Sequence, residues 1–248
     1  MVIYIRLRLY LFRIVYAAVI HPSSRMSLSS GVLATPLSCQ NIVFVSGHHP
    51  RKTYFAIKTR ATFEKYTQKH GYGFYYEEEP PAEEDSDIRS LHYRRCVCIR
   101  KASVLYPDAK WFVWVDSDVY VNNYNVKVEH ILDLNDSSIL YHLFNEDGWG
   151  QFPINTGVKF VNREALEWED IVWGLRNTDP WTQYPFEQKA IYEYVLPRIG
   201  SDRYRIHDPY ILNCLTKAYP DKVMMSVFAH MCACSEEERN SIMRTLYI

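Results

Sequence analysis

Trp111-Phe-Val-Trp-Val-Asp-Ser-Asp-Val-Tyr-Val-Asn-Asn123 opens with five large apolar residues and then changes character. A half-buried strand alternates polar and apolar side chains, so the unbroken run from Trp111 to Val115 predicts a strand covered on both faces. It stops at Asp116 and Asp118, one residue apart. They either share a strand face or fan around a turn at the strand's C-terminal end, where open α/β sheets place their ligands. Two carboxylates that close repel each other unless a cation lies between them. Oxygen donors favour a hard divalent ion such as Mn²⁺ or Mg²⁺, and that ion would in turn hold phosphate oxygens.

Length and composition bound what surrounds this strand. At 248 residues the chain can bury a substantial core, and one α/β domain fits better than two. A formal charge of −1 gives no electrostatic case for nucleic acid. The 20 Tyr and 6 Trp suit a site that stacks sugar and base rings, and equally a large aromatic core. Residues 2–20 are long enough to cross a bilayer, but Arg6, Arg8 and Arg13 interrupt them. Each Arg near a helix centre costs about 2.5–3.5 kcal/mol on insertion scales, and Ile14–Ile20 is too short to span alone. Residues 1–40 therefore read as a basic, apolar leader and Ser/Pro linker. It is a degraded signal anchor, an interfacial helix or an unstructured segment, and the folded domain runs over 41–248. An anchor would place that domain in the lumen of the Golgi or another secretory membrane; without one the chain is soluble and cytoplasmic.

Asn41–Gly47 reads as a first strand whose Ser46-Gly47 end lets backbone approach a ligand, followed by the loop histidines His48 and His49. Arg51–His70 has helical spacing and closes at Gly71, and Tyr72–Tyr76 suits a second strand, so the order is βαβ. Glu77–Asp87 carries seven carboxylates around two prolines and reads as a solvated loop. Ile88–Tyr106 predicts an amphipathic helix made basic by Arg94, Arg95, Arg100 and Lys101, one of which could serve a diphosphate. Ser138–Leu143 predicts a strand and Asn145–Gln151 a glycine-bearing loop. Asn155-Thr156-Gly157 predicts a polar turn feeding an apolar strand to Asn162. Helices are expected over Glu164–Arg176 and over Phe186–Leu196, the latter halted by Pro197. Val223–Ala229 predicts a last strand delivering His230. Cys96/Cys98 and Cys232/Cys234 lack the usual Cys-x₂-Cys spacing of a zinc knuckle and read as small buried hydrophobes or a lumenal disulfide.

An apolar strand ending in Asp-x-Asp fits two enzyme classes, nucleotide-sugar glycosyltransferases and aspartyl phosphatases. The phosphatase pattern needs its Asp pair near the domain start and a later Lys and acidic pair; here the pair falls about 75 residues in and nothing matches the later parts. The motif order instead resembles the galactosyl- and xylosyltransferase family of plant xyloglucan xylosyltransferases, fungal α-galactosyltransferases and fungal α-mannosyltransferase subunits. The resemblance rests on Ile99-Arg-Lys101, Tyr106–Trp111 and Trp114-Val-Asp-Ser-Asp-Val119, then on Asn155–Arg163, Glu187-Gln-Lys-Ala190 and His230-Met-Cys-Ala-Cys234.

That resemblance implies a GT-A fold: an α/β nucleotide-sugar-binding sandwich with a mostly parallel sheet and helices on both faces. The implied activity is metal-dependent retaining transfer of galactose or xylose from a UDP-sugar, with GDP-mannose as the alternative donor, to a glycan acceptor. It assigns Mn²⁺, or Mg²⁺ in its place, to Asp116, Asp118 and His230. Ser46, Gly47, Arg95, Ser117, Thr156 and Gly157 would bind the nucleotide sugar with the two Asp residues. Glu187, Gln188 and Asn155 would sit at the reacting sugar. The chain departs from the family pattern at Glu187, where Asp is usual, at Ala233, where Gly is usual, and at Ser235, where a basic residue is usual. The segment between Arg176 and Phe186 is also shorter than in plant members, which trims the acceptor side. A catalytically inactive homologue acting as a subunit or glycan-binding partner is the second reading.

Overall fold

The computed structural model describes residues 41–49, 53–81, 87–146 and 152–246. The expected leader at 1–40, residues 82–86 of the expected acidic loop and residues 147–151 of the loop expected over Asn145–Gln151 lie outside these residues, and Asn145 itself ends β5. Among the described residues no helix is long and apolar enough to cross a membrane.

A six-stranded sheet forms the centre, in the order β2-β1-β3-β6-β5-β7. Its strands are β1 (Ile42–Gly47), β2 (Gly73–Glu77), β3 (Trp111–Val115), β5 (Tyr141–Asn145), β6 (Ile154–Asn162) and β7 (Tyr204–His207). A three-stranded sheet in the order β4-β9-β8 comprises β4 (Val119–Val121), β8 (Cys214–Leu215) and β9 (Phe228–His230). The principal helices are α1 (Tyr54–His70), α2 (Ile88–Leu105) and α3 (Leu166–Leu175), followed by the short α4 (Glu187–Lys189) and α5 (Leu196–Ile199) and the C-terminal α6 (Glu236–Thr245).

The large sheet is mixed. β1 pairs in parallel with β2 and β3, and β5 with β7, while β6 runs antiparallel to both β3 and β5. As expected, β3 is buried along its whole length. Its side chains divide between two cores: Phe112 and Trp114 pack with Tyr93, Cys96 and Ile99 of α2, whereas Trp111, Val113 and Val115 pack with Phe63 and Tyr66 of α1. Each such side chain contributes roughly 1.5–3 kcal/mol on burial. Helices thus cover both faces, and the C-terminal end of β3 is left to carry polar residues.

Several boundaries differ from the sequence expectation for local reasons. The strand expected at Ser138–Leu143 begins at Tyr141, because Asp136 Oδ1 accepts from both the backbone N and the Oγ of Ser138 and holds a turn there. Asn155-Thr156-Gly157 is strand, not turn, and its polar side chains are answered by buried partners described below. The last strand is only Phe228–His230; Pro220–Met225 forms a 3₁₀ helix closed by Ser226, with Met224 and Met225 in solvent. Pro197 does not halt its helix. Ala190–Val195 is a π-helix, and the change of hydrogen-bond register at its end places Pro197 in the first turn of α5, where its missing N–H costs little. Glu77 belongs to β2, not to the solvated acidic run, and is buried against Lys101 Nζ at 2.8 Å.

Lys159, on β6, is fully buried between two carboxylates, 2.8 Å from Glu169 Oε2 and 2.6 Å from Glu187 Oε1. Cys96 lies beside the same two carboxylates, but there the ammonium of Lys159 supplies the counter-charge a metal would bring. Burial alone would push the Glu187 carboxyl up, yet Lys159 and Arg95 hold it below the usual glutamate range. A depressed carboxyl contributes stability above its unfolded pKa, and that contribution is lost as pH falls through the folded value. Lys159→Met strands two buried carboxylates. It is expected to cost about 3–5 kcal/mol in denaturant unfolding at neutral pH, and less as pH falls and the stranded carboxyls take up protons, because Glu187 then has no depressed value left to lose. A cost that stays the same from neutral to acid pH would show that Lys159 does not hold Glu187 ionised.

Candidate active site

The chain leaves β3 through Asp116-Ser117-Asp118 and re-enters the small sheet at Val119. The turn is pinned from several sides: Asp116 N donates to Gly157 O at 2.7 Å, Val119 N to Asp116 O at 3.0 Å, and Thr59 Oγ1 of α1 to Ser117 O at 2.6 Å. Antiparallel pairing of β4 with β9 sets Val119 opposite His230 and thereby lays the imidazole beside Asp118. His230 Nε2 is 3.2 Å from Asp118 Oδ1. One ligand atom each from Asp116, Asp118 and His230 lie within 4.8 Å of one another. Two carboxylates and one imidazole at that separation fit a Mn²⁺-type ion and leave further coordination positions for phosphate oxygens.

Two guanidiniums answer the two carboxylates. Arg95, buried on α2, lies 3.2 Å from Asp116 Oδ1 and 3.3 Å from Glu187 Oε2, and donates to the Thr156 carbonyl at 3.0 Å and to Thr156 Oγ1 at 2.7 Å. Arg239, on α6, lies 2.8 Å from Asp118 Oδ2 and 5.2 Å from the centre of the Phe55 ring. Burial would raise the Asp118 carboxyl, but His230 and Arg239 outweigh it and hold it at about 2. Trp114 Nε1 donates to Asp116 Oδ1 at 2.6 Å.

A cleft opens over this cluster. Of the residues expected at the nucleotide sugar, Gly47, Arg95, Asp116, Ser117 and Asp118 line it. Ser46 is buried at the end of β1, and Gly47 is needed there because a Cβ would stand 2.9 Å from Glu77 Cβ. Asn155, Thr156, Glu187, Gln188 and His230 do not line the cleft; they form its support. Thr156 Oγ1 donates to Glu187 Oε2 at 2.9 Å, and Thr156 N donates to Gln188 Oε1 at 3.1 Å. Glu187, expected beside the reacting carbon, is instead 1% exposed with its carboxylate turned onto Lys159, Arg95 and Thr156.

Sequence reasoning missed His92 and Arg239 and gave His48 little weight. His48 Nδ1 lies 2.8 Å from Ser117 Oγ, and burial lowers the rings of both His48 and His92 below the usual histidine range. All three residues line the cleft. Ser235 does not leave a gap where a basic residue was expected. It caps α6 through a reciprocal pair with Glu238, and Arg239, one turn on, brings the cation to the site. Ala233 adopts a φ of 58°, the left-handed region that favours the glycine expected there from the family resemblance. The described cysteines are free thiols, with Cys96, Cys98 and Cys214 buried.

The profile of the galactosyl transferase GMA12/MNN10 family matches residues 40–147. A solved structure of a glycosyltransferase involved in glycosylation of the major capsid of PBCV-1 is similar at 51% identity. The match covers 83% of this chain and 99% of that one, with a TM-score of 0.80. The glycosyltransferase GlyE of Streptococcus pneumoniae TIGR4 is 10% identical, with 81% of this chain and 56% of that one covered and a TM-score of 0.48. No curated protein matches the chain.

Two variants test this geometry. A Cβ on Gly157 would fall 2.2 Å from His230 Cε1 and 2.7 Å from its Nδ1, so Gly157→Ala is expected to displace the ring. A titration with Mn²⁺ followed by electron paramagnetic resonance should then show affinity weakened about 10-fold or more. Ala233→Gly is expected to raise stability by roughly 0.5–1 kcal/mol, read from the denaturant midpoint at unchanged m-value.

Proposed function

Because the chain belongs to the galactosyl transferase GMA12/MNN10 family and is a glycosyltransferase by fold and relatives, we propose that it transfers a hexose or pentose from a nucleotide sugar to a glycan. The proposed reaction is Mn²⁺-dependent, uses a UDP-sugar with galactose or xylose favoured, and retains anomeric configuration. The observation that carries the metal reading is the convergence of Asp116, Asp118 and His230 from opposite parts of the chain. A bound divalent ion would supply Lewis-acid neutralisation of charge on the departing nucleoside diphosphate.

The protein's own groups set the conditions for that departure. Asp116 and Asp118 face Arg95 and Arg239, so each carboxylate of the pair already has a guanidinium before any cation enters. A divalent ion alone would add two positive charges beside those guanidiniums, whereas a diphosphate arriving with it offsets them. Arg95 and Arg239 are the chain's cations for the phosphate oxygens, with Arg239 in the place of the basic residue absent at Ser235. His48, His92 and Phe55 offer rings along the cleft wall for the donor. The burial of Glu187 against Lys159 favours same-face attack by the acceptor hydroxyl over a covalent intermediate on that carboxylate. The PBCV-1 relative's involvement in capsid glycosylation supports a glycan carried on a protein as acceptor.

Thermal-shift measurements with Mn²⁺, UDP and both together test the donor reading. The pair is expected to stabilise the wild type by more than the sum of the separate shifts, and Asp118→Asn to lose that excess. A panel of UDP- and GDP-sugars then reads hydrolysis or transfer, where Asp118→Asn should fall by about 100-fold or more. Equal stabilisation of wild type and variant, or sugar transfer indifferent to chelator, would overturn the metal-dependent reading.

A further inference from the structure

The hydrogen bonds behind His230 form a chain whose direction can be worked out. His230 Nδ1 lies 3.0 Å from Asn213 Oδ1, Asn213 Nδ2 lies 3.1 Å from Asn155 Oδ1, and Asn155 Nδ2 lies 3.0 Å from Glu146 Oε1. All four residues are buried, Asn213 completely. An amide side chain can ordinarily be turned over, exchanging donor for acceptor, so its orientation needs an anchor. Here there is one that admits no exchange: the backbone N–H of Gly157 donates to Asn155 Oδ1 at 2.9 Å. A backbone N–H can only donate. The Asn155 oxygen is therefore fixed, and its nitrogen points to Glu146, whose carboxylate accepts. The Asn213 nitrogen must in turn donate to Asn155, which leaves the Asn213 oxygen facing His230. That oxygen can only accept, so Nδ1 of His230 carries the hydrogen.

We infer that Asn213, oriented by Asn155, Gly157 N–H and Glu146, is a positioning residue that fixes the tautomer of His230 and aims Nε2 at the carboxylate pair. The inference rests on the reading of His230 as a metal ligand, because an imidazole offers an ion the nitrogen that its other hydrogen bond leaves bare. It also reassigns Asn155. Its oxygen accepts from Gly157 and Asn213 and its nitrogen donates to Glu146, so its amide is engaged in orienting His230 through Asn213. Gly157 enters twice, through its N–H as the anchor and through its missing Cβ as the space the ring occupies.

Nitrogen-15 NMR of histidine-labelled protein, free and loaded with diamagnetic Mg²⁺, tests the relay alongside Mn²⁺ affinity. In the wild type His230 is expected to show its hydrogen on Nδ1, and in the Mg²⁺-loaded protein a metal-shifted Nε2. Asn213→Ala should lose the Nδ1–H signal and weaken Mn²⁺ binding by about 10–100-fold. Asn213→Asp retains an oxygen for Nδ1 and should keep the Nδ1–H signal, with a loss of stability because its second oxygen faces Asn155 Oδ1, which only accepts. A wild-type spectrum with bare Nδ1 and hydrogen on Nε2 overturns the inference without recourse to any variant, as does an Asn213→Ala protein unchanged in both readouts. Should the wild type bind no Mn²⁺ while the Nδ1–H signal is present and lost in Asn213→Ala, the relay stands and the metal reading falls.

Discussion

His230 meets Asp118 because β4 and β9 pair antiparallel with Val119 opposite His230, across more than a hundred residues of intervening chain. Everything at the site follows from that register. A shift by one residue would turn the imidazole to the other face of the small sheet and leave two neighbouring carboxylates without a third donor. The approach is close enough that Gly157, on the adjacent β6, can bear no side chain. Three separate elements are thus machined to one contact: the end of β3, the middle of β6 and the last strand.

Behind the contact, charge alternates inward. Asp116 faces Arg95, Arg95 faces Glu187, Glu187 faces Lys159 and Lys159 faces Glu169, to which Tyr141 also donates. Buried ions are costly to desolvate, and replacing such a set with packed hydrocarbons often leaves stability unchanged or higher. Its retention here makes sense as geometry rather than stability. Each guanidinium and ammonium is held on both sides, so the carboxylates at the cleft are presented in one arrangement before any ligand arrives. The pairing of Asp116 and Asp118 with Arg95 and Arg239 leaves each of the two carboxylates already matched by a guanidinium.

The sequence made the outer frame legible. The all-apolar run of β3, the βαβ order through β1, α1 and β2, the basic periodicity of α2 and the clustering of Asp116, Asp118 and His230 all follow from pattern, spacing and motif order. What stayed hidden depended on partners far along the chain. Asn155-Thr156-Gly157 looks like a turn because a polar triplet in a buried strand is expensive, and only Glu146, Asn213, Glu187 and Gln188 make it affordable. Nothing in the sequence around Lys159 announces the two distant carboxylates that pair with it. Arg239 sits in a charged run, Glu236-Glu-Glu-Arg239, whose helical phase toward the cleft is set by the Ser235 cap and by Asn240 receiving the Phe55 N–H, neither of which periodicity reveals. Glu187 is expected from motif order at the reacting sugar, but the direction of its carboxylate depends on a lysine that no local pattern ties to it.

The π-helical stretch Ala190–Val195 is equivalent to one residue inserted into an α-helix. Removing a single residue there would relax the turn to ordinary α-geometry without breaking the chain's path. It would also rotate everything on one side by about 100° relative to the other. With α5 held by the core, that rotation would fall on Glu187 and Gln188 and swing both away from Thr156. The extra residue therefore works as a phase setting for the helix, so length variation in this segment of related chains is a more sensitive marker of altered chemistry than substitution within it.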